Sequence, residues 1–474
     1  HVPNQYMMVN PFIDICVRAE GEEAFYEICK RISEEYYDFS CIPNVSFKLN
    51  GEIKTNLERN DFNKTLDDYP SPYLNGEFDY LLKDGHSYQV IIETNRGCPF
   101  LCTYCYWGRG GNTLKYRFKS LDIIFEEIDY FSKKKIEYIF NADSNFGMHK
   151  RDYQIALKLV ENKKKYGFPD KFRTCWGKNS SERIFKIATL MHINGLDKGM
   201  TLARQSNSKD VLKNVKRENI KLNAYSELQK EFNTIGIPVY AEMILGLPGE
   251  TYESWKKGID ELFETGLNSQ LFVYQAEVYP NTELGDKKYQ EKFGIQTKKI
   301  RLTEIHCSPR KQDWLEEYQE IVIKTNSMSV NDWKQMTVYS VFAVLLHSLK
   351  VGYFPMLFLH FQHNIPYSDI IQKIINSNTN LFKSFKEYVL SYTNEILSGS
   401  GRGVLLEEYS DVYLDIEEAL FIKVTQNLDN YYEEMYSVFS SLIKDHESKL
   451  DLQNIILFQK SHMPFFKKNK DEIV

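Results

Sequence analysis

The chain has 474 residues, more than one small domain holds, and its 42% hydrophobic and 14% aromatic content suits folded cores rather than disorder. A formal charge of −6 lacks the basic footprint of non-specific nucleic-acid binding, and no stretch reaches the roughly 18 apolar residues of a membrane span. Eight cysteines in so long a chain argue against a disulfide scaffold and for a reducing, cytoplasmic compartment.

The sequence opens at His1 with no initiator Met and no signal-peptide pattern, so it is expected to be processed, trimmed or a fragment. Residues 12–17 read as a short apolar strand, and an amphipathic helix follows from Gly21 to about Ile32. Residues 1–40 therefore look like the end of a preceding domain. Residues 41–86 are polar, with Pro43, Pro70, Pro72 and several Asn-Gly or Asp-Gly pairs, and read as a linker or extended wrap.

A rhythm then begins. Short apolar strands are expected at residues 88–94, 136–140, 172–176, 199–203, 238–245 and 271–276. Amphipathic helical stretches fall between them, near 120–134, 151–166, 181–194, 210–234 and 252–266. Strand alternating with helix means a parallel sheet with right-handed crossovers, and six such units over residues 87–298 suggest an incomplete relative of the eight-fold β/α barrel. The fold class is therefore α/β. From 299 to 474 the strand signals fade and long helical periodicities take over, as at 380–397 and 416–443, so a separate, mainly helical C-terminal domain is expected. The apolar run 338–349, interrupted by His347, reads as a buried helix. Lys133–Lys135 and Lys163–Lys165 sit at helix ends, where the dipole favours positive charge.

Chemistry concentrates just after the first barrel strand, in Thr94-Asn-Arg-Gly-Cys98-Pro-Phe-Leu-Cys102-Thr-Tyr-Cys105. Three thiolates at spacing C-x3-C-x2-C can bind three irons of a cubane, leaving the fourth open to a chelating small molecule. The competing reading is structural zinc, which takes four protein ligands; His86, at the far end of a strand, is the local candidate for the fourth.

This motif, with aromatic Tyr104 before the third Cys and a six-fold β/α array around it, resembles the radical S-adenosylmethionine (SAM) superfamily over residues 88–284. The stretch Leu245-Gly-Leu-Pro-Gly-Glu-Thr-Tyr-Glu253, including Gly246, is similar to the family's Gly-rich segment beside the SAM adenine. Asn141-Ala-Asp-Ser-Asn-Phe146 occupies the place of the loop that binds the methionyl amino group, but departs from the usual Gly-Gly-Glu. Gln205-Ser206, with Val211, Leu212 and Arg217 after them, lies at familiar spacing. The resemblance implies a partial (β/α)6 barrel and a [4Fe–4S] cluster on Cys98, Cys102 and Cys105. It further implies SAM on the unique iron and one-electron cleavage of the S–C5′ bond. The resulting 5′-deoxyadenosyl radical abstracts hydrogen from a small-molecule or peptide substrate, with an electron donor such as flavodoxin or ferredoxin. No nucleic-acid or membrane partner is expected.

Working residues in β/α barrels lie at the C-terminal strand ends. Asp143 and Asn145 end the second strand; a carboxylate there can pair with the SAM ammonium or cap the next helix. Lys178 and Asn179 end the third, Asn179 forming a capping-box pattern with Glu182. Arg204, Gln205 and Ser206 end the fourth, with Arg204 either clamping a carboxylate or making a surface ion pair. Glu242 lies within the fifth strand, where a lumenal charge needs a partner. Tyr274 and Gln275 close the sixth and can reach ribose or substrate. Trp107 and Trp176 either wall the site or pack. His360 and His363 have metal-ligand spacing, but no carboxylate pattern surrounds them.

The opening residues, from Asn10-Pro-Phe-Ile-Asp14 to Ala24-Phe25, resemble the last strand and helix of a cobalamin-binding domain, a doubly wound α/β sheet. This implies a cobalamin-dependent radical SAM enzyme, a branch rich in C-methyltransferases. Two alternatives remain open: a radical SAM enzyme in which cobalamin plays no part, and a non-catalytic protein with a structural metal site.

Overall fold

A computed structural model describes residues 3–59, 65–82, 86–109, 115–177, 181–310 and 315–464. It divides into two compact units, His1–Lys198 with Tyr279–Tyr289, and Gly199–Val278 with Gln290–Val474.

The first unit begins with an antiparallel sheet in the order β1 (Ile15–Val17), β2 (Val45–Leu49), β3 (Glu52–Thr55). Asn50 and Gly51 both take positive φ, 54° and 84°, as a two-residue hairpin turn of matching twist demands. The segment read as a linker therefore supplies two strands. Its core is Phe39, Ile42, Val45 and Phe47 packed against Ala24 and Ile28 of the helix Glu22–Ser33.

The same unit holds a parallel sheet in the order β4 (Gln89–Ile92), β7 (Tyr138–Phe146), β8 (Lys171–Trp176), with a small antiparallel pair, β5 (Asn95–Arg96) and β6 (Arg117–Phe118), between β4 and β7 in the chain. The helix Leu121–Lys133 shows why the local sequence folds so. Ser120 caps its start and accepts from the Ile123 N–H, while Ile124, Ile128 and Phe131 recur at helical spacing and bury completely. The helix Lys150–Tyr166 ends on Gly167 in the left-handed region, with Lys163, Lys164 and Lys165 in its last turn. Strand β7 runs six residues beyond its expected end at Phe140, a difference that matters for the site.

The second unit carries a parallel sheet in the order β11 (Leu271–Gln275), β10 (Val239–Leu245), β9 (Met200–Gln205). With β4, β7 and β8, these strands alternate with helices along the chain in the partial (β/α)6 pattern. The continuous helix expected over 210–234 is two helices, Lys209–Asn214 and Leu222–Thr234. Lys216 turns left-handed at φ 53°, and the loop returns to β9: Arg217 Nη2 donates to the Ala203 carbonyl at 2.6 Å and Asn219 Nδ2 to the Arg204 carbonyl at 2.8 Å. Those side chains supply donors to strand-end carbonyls of β9 that a continued helix would not.

An antiparallel hairpin, β12 (Gln296–Arg301) and β13 (Tyr318–Lys324), spans the boundary expected at residue 299. The rest is mainly helical, with the helix Asn380–Ser398 as expected, whereas the 416–443 stretch breaks into Ile416–Thr425 and Leu428–Ser440. The helix Val330–Ala343 continues through a π turn, Val344–Ser348, and is largely buried from Met336 onward. Among the described residues no single helix is long and apolar enough to cross a membrane.

Candidate functional site

The cysteine loop leaves β4 and is clasped by the end of β7. Because side chains alternate along a strand, Asp143 and Asn145 face the same side. Asp143 is fully buried. One carboxylate oxygen accepts the backbone N–H groups of Thr94 (2.8 Å) and Asn95 (3.0 Å). The other accepts the Thr94 hydroxyl and the Asn95 side-chain amide, the latter at 2.7 Å. Burial pushes the Asp143 carboxyl up to about 6 against the opposing pull of these bonds. Four bonds fill a carboxylate's acceptor sites. The helix-capping role expected for Asp143 is not the one observed. The following helix starts at Lys150, with Asp152 accepting from the His149 N–H, and Asp143 instead fixes the entry to the cysteine loop.

Ser144 and Asn145 continue the clasp. The Ser144 hydroxyl donates to the Gly97 carbonyl at 2.9 Å, and Asn145 Nδ2 approaches the Cys98 sulfur at 3.3 Å. Gly97, at φ 107°, makes the turn into Cys98 that other residues resist. Cys98 and Cys102 are buried, Cys105 and Tyr104 half-buried, and none of the three thiols is in a disulfide. A backbone bond from Cys105 N–H to the Cys102 carbonyl (3.1 Å) closes the second half of the motif into a turn. Buried Thr103 is held by the segment 279–289, its carbonyl accepting from the Leu284 N–H (2.8 Å) and its hydroxyl meeting the Tyr289 hydroxyl (3.2 Å).

The donor set fits an iron–sulfur cluster: three thiols on one shielded loop, plus an amide donor at one sulfur. It does not fit a structural zinc ion. Such an ion takes four protein ligands, and His86, the local candidate for the fourth, lies exposed against Tyr88. Asn95 Oδ1 is buried with no hydrogen-bond partner, an acceptor open to a ligand donor beside the loop.

In the second unit, Arg204 is held inside the fold rather than in a surface ion pair. It is buried, donates to Asn207 Oδ1 (2.8 Å) and the Ile220 carbonyl (2.6 Å), and lies over the Tyr225 ring; burial draws its pKa below the usual range. Gln205 sits at φ 66° in a three-residue turn closed by the Ser206 N–H on the Arg204 carbonyl (2.8 Å), a strained form at a strand end. Its Nε2 lies 3.5 Å from Glu242, and its Oε1 is buried without a partner. Ser206 donates to the fully buried carboxylate of Glu250 at 2.7 Å. Desolvation raises the Glu250 pKa. Glu250 thereby ties the fourth strand to the Gly-Leu-Pro-Gly-Glu turn, a role the sequence reading missed although the residue lay within the quoted motif. Gly246 takes φ 105°, which other residues resist, and a Cβ there would also stand 3.2 Å from the Val322 carbonyl oxygen and 3.3 Å from Ala276. Tyr274 is exposed and stacks on Phe272, which meets Tyr240, giving an aromatic row on the sheet.

Other expectations resolve as packing. Gln275 accepts from the buried Trp333 indole at 2.9 Å. Trp176 packs on Phe146 and over Gly147, while Trp107 stays partly exposed. His360 stacks on Tyr367 with its Nδ1 on the Ile365 carbonyl, and His363 packs on Phe358, so the pair makes no metal site. Lys178 and Asn179 lie outside the described residues.

Comparison with known proteins agrees with this geometry. The family model of the radical SAM superfamily matches residues 92–262. The cobalamin-dependent radical SAM methyltransferase TokK of Streptomyces tokunonensis is 32% identical over 375 residues, 78% of this chain. The 2-(S-pantetheinyl)-carbapenam-3-carboxylate methyltransferase of Streptantibioticus cattleyicolor is 28% identical over 487 aligned residues, 98% of this chain and 71% of its own length. The chain spans about half the length of TokK, 54%. Among solved structures, the cobalamin-dependent SAM radical enzyme OxsB with aqua-cobalamin bound shares the fold at a TM-score of 0.50 and 14% identity, covering 98% of this chain and 70% of that one.

Proposed function

Because this chain belongs to the radical SAM superfamily, we propose that it is a cobalamin-dependent radical SAM methyltransferase that methylates an unactivated carbon of a small molecule. The observation that carries the reading is the three-cysteine loop, with Cys98 and Cys102 buried and its entry clasped by Asp143, Ser144 and Asn145. When bound, the cluster and SAM supply the electron and the 5′-deoxyadenosyl radical, and cobalamin supplies the methyl carrier.

The chain's own residues bind, orient and exclude water. Cys98, Cys102 and Cys105 are proposed to hold the cluster. Asp143 sets the angle at which their loop leaves β4. Gln205 and Glu242, one with an unpartnered buried oxygen and a strained backbone, are proposed to receive SAM hydroxyl or amino donors. The row Tyr240, Phe272 and Tyr274 offers an apolar wall to a substrate. Residues 1–40 are proposed as the tail of a cobalamin-binding-like domain. A flavodoxin or ferredoxin is the proposed electron donor and the cytoplasm the proposed compartment, which suits a loop that needs reduced thiols. The first acceptor to try is the one for which the S. cattleyicolor relative is named, a pantetheinyl carbapenam carboxylate.

The test is an anaerobic incubation of the full-length protein with iron, sulfide, hydroxocobalamin, a reductant, that acceptor and SAM labelled in its methyl group. Label in the product together with 5′-deoxyadenosine is expected. Deoxyadenosine with no methyl transfer to this or related carboxylates would remove the methyltransferase reading.

A further inference from the structure

We propose that Asn145 tunes the redox potential of the cluster: its side-chain amide donates to the Cys98 sulfur and raises the potential at which the cluster accepts its electron. This rests on the reading above that the three thiolates carry a [4Fe–4S] cluster.

The geometry fixes the amide. Asn145 Nδ2 lies 3.3 Å from the Cys98 sulfur and 2.9 Å from the Ser144 hydroxyl oxygen. That hydroxyl gives its own proton to the Gly97 carbonyl at 2.9 Å, so toward Asn145 it can only accept. The amide nitrogen therefore faces two acceptors, which settles its orientation without an assumed flip. Tyr116 reaches the same two side chains with its hydroxyl, which also points at the Met148 sulfur at 3.6 Å. Met148 packs tightly over Gly177, where a Cβ would come within 2.3 Å of its Cγ. Asn145 is 2% exposed and Cys98 6%, so water competes little for the sulfur.

The energetic direction follows from charge. The reduced cluster holds one more electron, part of it on the sulfurs, so an N–H aimed at a sulfur stabilises the reduced form more than the oxidised. Asparagine suits this place and aspartate does not: an ionised carboxylate offers no donor and adds a negative charge beside the cluster. Asp143, two residues earlier on the same face, has a different task and meets backbone and side-chain donors of Thr94 and Asn95 instead.

The test is an EPR-monitored redox titration of the reconstituted protein, wild type against Asn145→Leu and Asn145→Asp, with iron counted in each. At the wild-type midpoint, the ratio of reduced to oxidised cluster is expected to fall about fivefold to tenfold in Asn145→Leu, tenfold being about 59 mV for one electron. Asn145→Asp should fall at least as far. A ratio within about twofold of wild type in cluster-loaded variants, or a rise, would overturn the proposal. So would a wild-type cluster that neither variant can assemble, since Asn145 would then be scaffold rather than tuner. A wild-type protein that holds no cluster would overturn the underlying reading instead.

Discussion

Asp143 meets Asn95 twice, accepting its backbone N–H at 3.0 Å and its side-chain amide at 2.7 Å. The contact spans 48 residues of sequence and joins the second barrel strand to the first residues past the first strand. Removing it leaves buried donors of Thr94 and Asn95 without an acceptor. Asp143→Ala should lower stability by about 2–4 kcal/mol in urea titration and reduce the iron bound per chain. Unchanged stability with full iron content would show that the clasp is dispensable.

Arg96 stands immediately before the cysteine loop and gathers three acidic side chains, Glu20 (2.9 Å), Glu22 (2.7 Å) and Glu93 (2.8 Å). Arg117 also pairs with Glu20, which is almost wholly buried. This network ties the start of the helix Glu22–Ser33 to β5 and β6. Arg96→Leu leaves Glu20 short of a partner and should cost about 3 kcal/mol or more, with lower iron occupancy. Arg96→Lys cannot serve all three carboxylates from one ammonium and should recover only part of the loss. Full recovery by lysine would mean that charge alone matters.

Glu250 bridges Ser206 at 2.7 Å and Ser254 across the second unit. Both partners donate hydroxyl protons, and the carboxylate is desolvated. Glu250→Gln keeps an acceptor for one serine and can donate to the other, so it should retain SAM affinity within a few fold. Glu250→Ala should lose about 2 kcal/mol of stability and weaken SAM binding, measured by equilibrium dialysis. Equal behaviour of the two variants would contradict the hydrogen-bonding role.

His347 stacks face to face on Phe263, ring centroids 3.8 Å apart, and burial, helped by Lys350, holds its pKa well below the usual value. Its Nδ1 is buried without a partner. The folded protein keeps this ring neutral while the unfolded chain binds a proton below about pH 6.5. Stability is therefore fully present above that pH and falls as pH drops, by up to about 1.4 kcal/mol per unit. His347→Phe should flatten the acid limb of the stability curve relative to wild type. Parallel curves between pH 7 and 5 would refute the assignment.

The six barrel strands were legible because their apolar runs are short and regularly spaced, and the cysteine spacing announced the cluster loop. Strand β7 was cut short in the reading because Asn141, Asp143 and Asn145 look like loop residues. Asp143 and Asn145 are polar because they face the cysteine segment, and Asn141 because it meets Thr174 on β8, rather than a hydrophobic core. The hairpin at Asn50-Gly51 carried its signature in plain view, but the surrounding prolines and polar residues favoured a linker. Arg204 was only half legible: an arginine at a strand end suggests a ligand clamp or a surface ion pair, and its type does not reveal its bonds to Asn207 and Ile220 or its place over Tyr225. Periodicity reports which face is buried; it does not report what a polar side chain meets across 40 or 50 residues of chain.

The most direct test is anaerobic reconstitution of the wild-type protein and Cys102→Ala, followed by iron analysis and assay of 5′-deoxyadenosine after reduction with SAM present. About four irons per chain and deoxyadenosine release are expected in the wild type, with both lost in Cys102→Ala. Undiminished SAM cleavage in Cys102→Ala, or a wild-type protein that binds zinc and no iron, would contradict the central assignment.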